Sequence, residues 1–265
     1  MAFAERTING VTVLQSTLIP MRHCFTTRFG GVSEGAFASL NLGENRGDKP
    51  EHVRENYHRL AAALGFNEKN LVFTRQVHGN AVRYVTHEDS RELYAPIRYE
   101  CDGLVTDEPG LPILCFTADC VPVLLCDMRA HVAAAVHCGW RSSVKDILGV
   151  AVGMMQRYGA SPKNIYAAIG PAIGACCFEV GTDVPEALRA WLGQDAEKFI
   201  YPHPHREAKY LVDLRGANRK RLITLGVCSK NIDVSEACTM CSPEKFWSHR
   251  VTQGVRGSQA AVIIP

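Results

Sequence analysis

The chain has 265 residues, 46% of them hydrophobic, with 29 Lys and Arg against 27 Asp and Glu and a formal net charge of +2. That length admits one large domain or two small ones with a well-buried core, and the near-neutral charge gives no electrostatic reason to expect nucleic acid or a membrane surface as partner. No stretch reaches the eighteen or so apolar residues of a membrane span and nothing behind Met1 reads as a secretory signal, so a cytoplasmic protein is expected, its eleven cysteines mostly free thiols with one or two used for metal or catalysis.

No repeat, linker or low-complexity tract interrupts residues 1–265, which read as a single domain. In chain order, β-branched runs predict strands over 11–14 and 23–27. Residues 51–65 predict a helix carrying Val53, Tyr57, Leu60, Ala61 and Leu64 on one face, with Asp48 and Pro50 as start signals and Gly65 as stop. Strands follow over 71–77, 81–86, 103–106, 112–117, 121–126 and 131–137. A helix over 143–158 then carries Val144, Ile147, Leu148, Ala151, Val152 and Met155 and ends before Gly159. A strand over 165–169, a helix over 183–192 and a strand over 210–213 precede a helix over 214–225, with Asp213 as cap and Gly226 just past its end. A strand over 260–264 closes the chain. Helices and strands interleave without strict βαβ alternation, and the tight connections between 103 and 137 predict antiparallel pairing there. The expectation is an α+β fold, a layered α/β sandwich with mixed, largely antiparallel sheets, rather than a Rossmann or barrel fold.

The informative stretch runs from Ile113 to Trp140, where two apolar runs flank the polar turn Asp127-Met-Arg-Ala130. A turn centred on Met128 and Arg129 sets Cys120 directly opposite His137. Cross-strand Cβ atoms lie about 4.5–5.5 Å apart, near enough for both side chains to grip one metal ion. The pairing depends on an unbulged turn, and Pro122 suggests that the Cys120 end is an edge or already leaving the ladder. His78, before Gly79 at a predicted strand end, is the third ligand candidate, although a lone strand-end histidine is more often a hydrogen-bonded structural residue. Imidazole, thiolate and imidazole together suit zinc, with copper as the weaker alternative, and three ligands leave a fourth position for water or substrate. Cys101, Cys115 and Cys126 read as small hydrophobes. Cys238-Thr-Met-Cys241 has zinc-knuckle spacing without a second pair at a fitting distance. Adjacent Cys176 and Cys177 read as unable to share one ion, because neighbouring strand residues point to opposite faces.

Two turns could hold an anion. Gly139-Trp-Arg-Ser-Ser143 leads from a strand into a helix and offers free N–H groups with Arg141; Thr27-Arg-Phe-Gly-Gly-Val-Ser33 offers paired glycines with Arg28. An ordinary N-cap and an ordinary glycine turn are the plainer readings of both.

These blocks together resemble the laccase-domain family, whose members are also labelled polyphenol oxidases, peptidoglycan-editing factors or purine nucleoside phosphorylases. The resemblance runs from Phe25 to Ile264 through Thr26-Thr-Arg-Phe-Gly-Gly-Val-Ser33, Ser39-Leu-Asn-Leu-Gly43, Gln76-Val-His-Gly79, Cys101-Asp-Gly-Leu-Val-Thr-Asp107, Thr117-Ala-Asp-Cys-Val-Pro-Val-Leu-Leu125, Ala135-Val-His-Cys-Gly-Trp-Arg141, the Gly170 to Gly181 stretch and Phe246-Trp-Ser-His-Arg250. It implies an α/β layered fold and a metal, zinc or copper, on His78, Cys120 and His137. It also implies phosphorolysis of adenosine, inosine and methylthioadenosine, and deamination of adenosine. The expected partners are purine nucleosides and phosphate, acting on a monomer. Within that reading His78, Cys120, His137 and Asp102 are the catalytic candidates, and Arg28, Asn41, Asp119, Arg141 and Glu179 the substrate-binding ones. Arg28 and Arg141 would take phosphate, Asn41 and Asp102 would orient ribose or base, and Asp102, Asp119 or Glu179 would shuttle protons. Cys120 could instead act as a nucleophile with His137 as its base. The chain departs from the family pattern at Cys138 and Ser142, which replace small residues, and at Val251, where a second arginine is common. The rival readings are a copper-dependent phenol oxidase and a peptidoglycan-precursor editing enzyme or non-catalytic regulator. The first is disfavoured because multicopper enzymes need about ten histidine ligands in HxH clusters, whereas only His203-Pro-His205 has that form here.

Overall fold

The computed structural model describes residues 3–265. The strands are β1 (Phe3–Ile8), β2 (Val11–Ser16), β3 (Arg22–Thr26), β4 (Val82–Tyr84), β5 (Gly103–Thr106), β6 (Ile113–Thr117), β7 (Val121–Asp127), β8 (Val132–Cys138), β9 (Ile165–Ile169), β10 (Glu179–Val180), β11 (Ile200–Pro202), β12 (Tyr210–Val212), β13 (Ile232–Val234) and β14 (Gln259–Ile264). The helices are α1 (Pro50–Leu64), α2 (Trp140–Val144), α3 (Ile147–Arg157), α4 (Asp183–Leu192), α5 (Leu214–Thr224) and α6 (His249–Thr252). An antiparallel sheet of order β1-β2-β3-β14-β6 faces a mixed sheet of order β13-β9-β7-β8-β5-β4, and β10-β12-β11 form a small third sheet.

The alternation of side chains along each strand builds the layers. Leu124 and Cys126 of β7 and Ala133 and Ala135 of β8 pack against Phe25, Ile113, Cys115, Ala261 and Ile263 of the antiparallel sheet, filling the space between the two. The alternate residues Val123, Leu125, Val132, Ala134 and Val136 turn to the other side, under Ile147, Leu148, Ala151, Val152 and Met155 of α3 and Leu214 and Leu222 of α5. On the far face of the antiparallel sheet, Val11, Val13, Cys24, Leu114 and Val262 meet Val53, Tyr57, Leu60 and Leu64 of α1. The result is a helix–sheet–sheet–helix sandwich with mixed and antiparallel sheets. Strands covered on both faces read as unbroken apolar runs, as β7 and β8 do. Among the described residues no helix is long and apolar enough to cross a membrane.

Several elements depart from the sequence reading. Pro50 occupies the first turn of α1, but Lys49 stands at the cap, while the Asp48 carboxylate accepts from Ser33 Oγ and Asn41 Nδ2. The helix expected over 143–158 is split: Asp146 adopts φ +63° and its carboxylate is gripped by Arg221 at 2.7 and 2.5 Å, so α2 ends and α3 starts in a new direction. Residues 71–77 make only isolated bridges at Val72 and Arg75. β6 and β7 do not pair with each other, because the chain crosses between the sheets at Ala118–Cys120. β1, β10, β11 and β13 lay outside the expected strands, three of them only two or three residues long.

The hairpin register is also shifted. β7 and β8 pair from Val121↔Cys138 to Asp127↔Val132 around a four-residue turn, so His137 faces Pro122 and Cys120 is its diagonal neighbour. A slip of two residues keeps every side chain on its face, whereas a slip of one would have separated the pair. Pro122 lies in a central strand, not at an edge. Its carbonyl accepts from Gly170 N, so its missing N–H points towards β9, beyond the last ladder pair Val123↔Ile169.

Candidate active site

Where β8 ends and β5 and β7 begin, three side chains converge. The donor atoms of His78, Cys120 and His137 lie within 4.8 Å of one another, with Cys120 Sγ 3.8 Å from His78 Nε2. The two imidazoles meet edge to face at a centroid distance of 4.9 Å. His78 has φ +58°, a conformation that a non-glycine residue holds only when its surroundings dictate it. The dictating group is the buried Asp102 carboxylate. Its Oδ1 accepts from His78 N (2.9 Å) and its Oδ2 from Val77 N (3.1 Å) and Gly79 N (2.8 Å), which fixes the 77–79 turn. The same Oδ1 lies 2.8 Å from His137 Nδ1. Asp102 thus orients both histidines and leaves His137 Nε2 free to face Cys120.

Cys120 follows Asp119, a second residue at positive φ (+91°). Asp119 Oδ1 accepts from Thr239 Oγ1 at 2.6 Å, its Oδ2 from Arg250 N at 2.7 Å, and its carbonyl from Ile173 N at 2.9 Å. These bonds anchor the bend that turns the Cys120 thiol towards the histidines. Burial alone would raise the Cys120 thiol, but the charge and hydrogen bond of His137, then those of His78, bring it down to about 6. Burial likewise opposes charge on His137, yet the Cys120 thiolate and the Asp102 hydrogen bond raise it to about 9. Burial also works against the Asp102 carboxylate, and the hydrogen bonds from His137 and the 77–79 backbone outweigh it and hold Asp102 below its usual range. In the absence of an ion the cluster is therefore a thiolate–imidazolium pair backed by a carboxylate.

Gly139 supports a metal reading of the same geometry. A Cβ there would sit 2.9 Å from His78 Cδ2, 3.3 Å from Cys120 Sγ and 3.5 Å from His137 Cε1, so the absent side chain leaves a space bounded by all three side chains. Two imidazoles and a thiolate, one imidazole backed by a carboxylate, fit a d¹⁰ ion such as zinc or cuprous copper, with one position open.

The cluster opens into a cavity of about 800 Å³, within the range of small-molecule sites. Phe73, Phe116, Trp140, Ile173 and Phe178 supply apolar wall, and Asp119 lines it beside Cys120. Arg46 and Arg256 also line it. Arg256 is buried, donates to Gly257 O and Ser258 Oγ, and leaves its Nε without a hydrogen-bond partner. Burial and the neighbouring Arg46 guanidinium bring Arg256 down to about 10, outweighing the opposing pull of Asp119 and Cys120.

The structure brings together four of the residues named from sequence: His78, Cys120 and His137, with Asp102 behind them. Asp119 joins them in the cavity wall. Arg28, Asn41, Arg141 and Glu179 are not among the described residues that line it. Arg28 donates to Ala38 O and Pro243 O and stacks over Trp247. Asn41 ties Gly43, Asp48 and Ser258 together. Arg141 lies over the Trp140 ring, and Glu179 pairs with Arg206 and His203. Sequence reasoning missed Arg46 and Arg256. Each sits in a glycine-flanked loop, Gly43-Glu-Asn-Arg-Gly47 and Gly254-Val-Arg-Gly257, which was the available signal.

Residues 22–265 match the family model described as multi-copper polyphenol oxidoreductase laccase. The chain is 41% identical over 246 residues to a protein named purine nucleoside phosphorylase YlmD from Geobacillus stearothermophilus, covering 90% of this chain and 88% of that one. It is 40% identical to a purine nucleoside phosphorylase from Deinococcus radiodurans, over 97% and 94% of the two chains. The crystal structure of Geobacillus stearothermophilus YlmD superposes over 99% of this chain and 98% of that one with a TM-score of 0.90, at 35% identity over that longer alignment. A Neisseria meningitidis protein, NMB0706, superposes over 100% and 99% with a TM-score of 0.79 at 31% identity.

Proposed function

This chain belongs to the family described as multi-copper polyphenol oxidoreductase laccase, and from that premise we propose that it is a purine nucleoside phosphorylase acting on adenosine, inosine and methylthioadenosine. The observation that carries the reading is one cavity lined by the His78, Cys120 and His137 cluster, by aromatic wall, and by four arginines, of which Arg256 is under-paired and neighbours Arg46. Its relatives named purine nucleoside phosphorylase, at about 40% identity over most of both chains, support it.

In this reading Arg46 and Arg256 hold phosphate and keep it oriented towards the ribose C1′. Phe116, Phe178 and Trp140 enclose the flat purine and exclude water. A phosphate oxygen forms the new bond at C1′ while the bond to the purine nitrogen breaks; its electron pair leaves with the base, which takes up a proton, and ribose 1-phosphate remains. Asp102 keeps His78 and His137 in place and fixes the His137 tautomer. The residues proposed to hold the ion are His78, Cys120 and His137, and zinc, with copper as the alternative, would supply Lewis acidity there when bound. Deamination of adenosine is the second activity proposed. Asp119 is the carboxylate of the cavity beside that cluster, with its oxygens already accepting from Thr239 and Arg250. The setting proposed is the cytoplasm, where eleven thiols stay reduced.

The test is turnover of inosine and adenosine with and without phosphate, for the native protein and Arg256→Met. Base release should require phosphate and yield ribose 1-phosphate. The variant should lose roughly 30- to 1000-fold in kcat/KM, seen first as a raised phosphate requirement. Release at an unchanged rate without phosphate would show hydrolysis, and ammonia without base release would leave only the deaminase. Phenol oxidation or cleavage of muropeptide precursors with no nucleoside turnover would overturn the reading altogether.

A further inference from the structure

A second sulfur cluster lies outside the site just described. The thiols of Cys176, Cys177, Cys238 and Cys241 lie within 4.8 Å of one another. Cys241 Sγ is 3.6 Å from Cys176 Sγ and 3.3 Å from Cys177 Sγ. Four sulfurs around one zinc ion, each about 2.3 Å from it in a tetrahedron, sit about 3.8 Å apart, in the middle of this range.

The expectation that Cys176 and Cys177 cannot share an ion assumed a strand, and the structure corrects it. They stand in a turn, where Cys177 N and Phe178 N both donate to Gly174 O at 3.0 and 2.9 Å. Cys238 and Cys241 bracket a second turn closed by Ser242 N donating to Cys238 O. The two turns are held face to face by the Ala172↔Cys238 bridge, with Thr239 N donating to Ala172 O at 3.1 Å. So the pair that Cys238-Thr-Met-Cys241 lacked in sequence is supplied by a segment more than sixty residues away.

The surroundings suit an anionic metal complex. Gly174 N donates to Cys238 Sγ at 3.2 Å. A Cβ on Gly174 would meet Cys176 Sγ at 3.2 Å and Arg215 Nη2 at 3.0 Å, so the thiols and a guanidinium approach through a gap that only glycine leaves. Arg215 is itself pinned by the carbonyls of Ser235 and Ala237. Four thiolates around a divalent ion carry two net negative charges, and Arg215 with the backbone N–H groups offsets part of them. Cys176 and Cys241 are exposed, which gives an ion a way in, and Cys238 is buried.

We propose that Cys176, Cys177, Cys238 and Cys241 form a closed, structural zinc site that staples together two walls of the cavity. Each thiol releases its proton to solvent on binding, and no position is left open for substrate. One stapled segment carries Ile173 and Phe178, and the other leads to His249 and Arg250; all four residues line the cavity. Asp119 already bridges the same two segments through Ile173 N, Thr239 Oγ1 and Arg250 N. The zinc therefore stabilises the wall next to Cys120 without touching the reacting atoms.

Metal content of the full-length protein, purified under reducing conditions with zinc supplied, tests this. Cys238→Ser/Cys241→Ser should lose about one zinc equivalent per chain that Cys120→Ala retains. Cobalt substituted into Cys120→Ala should show the absorption of a tetrahedral tetrathiolate centre, and the signal should vanish on adding Cys241→Ser. If the double variant fails to fold, Cys176→Ser, an exposed position, provides the same reading. Unchanged zinc content in these variants would overturn the proposal. So would iron or copper as the metal bound there, or a Cys177–Cys241 disulfide found by peptide mapping of the reduced-purified native protein.

Discussion

Asp102→Asn separates orientation from mere packing, since it keeps the shape of the side chain and removes only its charge and half its acceptors. The carboxylate accepts four hydrogen bonds, with Oδ1 serving His78 N and His137 Nδ1 and Oδ2 serving Val77 N and Gly79 N. An amide offers one oxygen, so two of the four donors must face an NH₂ group in either orientation. If the oxygen stays with Val77 and Gly79, His137 can only accept at Nδ1, which moves its proton to Nε2 and removes the lone pair with which that atom would bind an ion. If it stays with His78 and His137, the 77–79 turn loses two of the bonds that hold His78 at φ +58°. Hydrogen bonds to a charged acceptor contribute about 1.5–3 kcal/mol each, so two lost bonds should cost roughly 3–6 kcal/mol. The lower figure corresponds to a fall of roughly 6–12 °C in Tm for a chain of this size. Metal affinity, measured by competition with a chromophoric chelator, should weaken about 10- to 100-fold. A Tm within about 2 °C of the native value together with unchanged affinity would refute the role given to Asp102.

Two further substitutions probe the cluster itself. Gly139→Ala places a methyl 2.9 Å from His78 Cδ2 and 3.3 Å from Cys120 Sγ; it should cost about 1–3 kcal/mol of stability and displace most of the metal, and full metal content in a folded variant would show that the space is not the binding site. In chelator-stripped protein, alkylation of Cys120 followed by peptide mass spectrometry should rise with pH around a midpoint near 6, because the neighbouring His137 stabilises the thiolate. His137→Gln removes that charge, so the midpoint should move up towards the ordinary thiol value; a midpoint that is already ordinary in the native protein would mean the two groups do not interact.

The fold was legible wherever one periodicity persisted. The runs over 121–126, 131–137 and 165–169 are apolar apart from His131 and His137 because both faces of their interior are covered, and β7, β8 and β9 follow them to within a residue or two. Helix α1 was equally plain, with its apolar stripe, Pro50 and Gly65 all agreeing. What failed was information that is not local. Asp146 breaks a helical pattern because Arg221, seventy-five residues later, holds its carboxylate. β10, β11 and β13 are two or three residues long and owe their pairing to tertiary context, not to any pattern of their own.

The candidate site divides in the same way. Cys120 and His137 were reachable because a hairpin converts sequence separation into distance, and the reading survived an error of two residues in register because strand geometry repeats every two. His78 and Asp102 belong to separate segments whose meeting with the hairpin depends on β4 lying beside β5 and β5 beside β8, and only the resemblance named all of them at once. The arginines show the opposite case. Arg28 and Arg141 stand next to the most recognisable blocks of the sequence, yet their guanidiniums are directed at carbonyls or an indole ring. Arg46 and Arg256 stand in unremarked loops, and the two guanidiniums are near enough for one to depress the other. Two guanidiniums this close are costly where Asp119 and Cys120 offset them only in part, and an anion joining them would remove that cost. That cost cannot be read from spacing, since it exists only once residues two hundred positions apart share a wall, and it is the physical reason to look for phosphate there and not at the glycine turns.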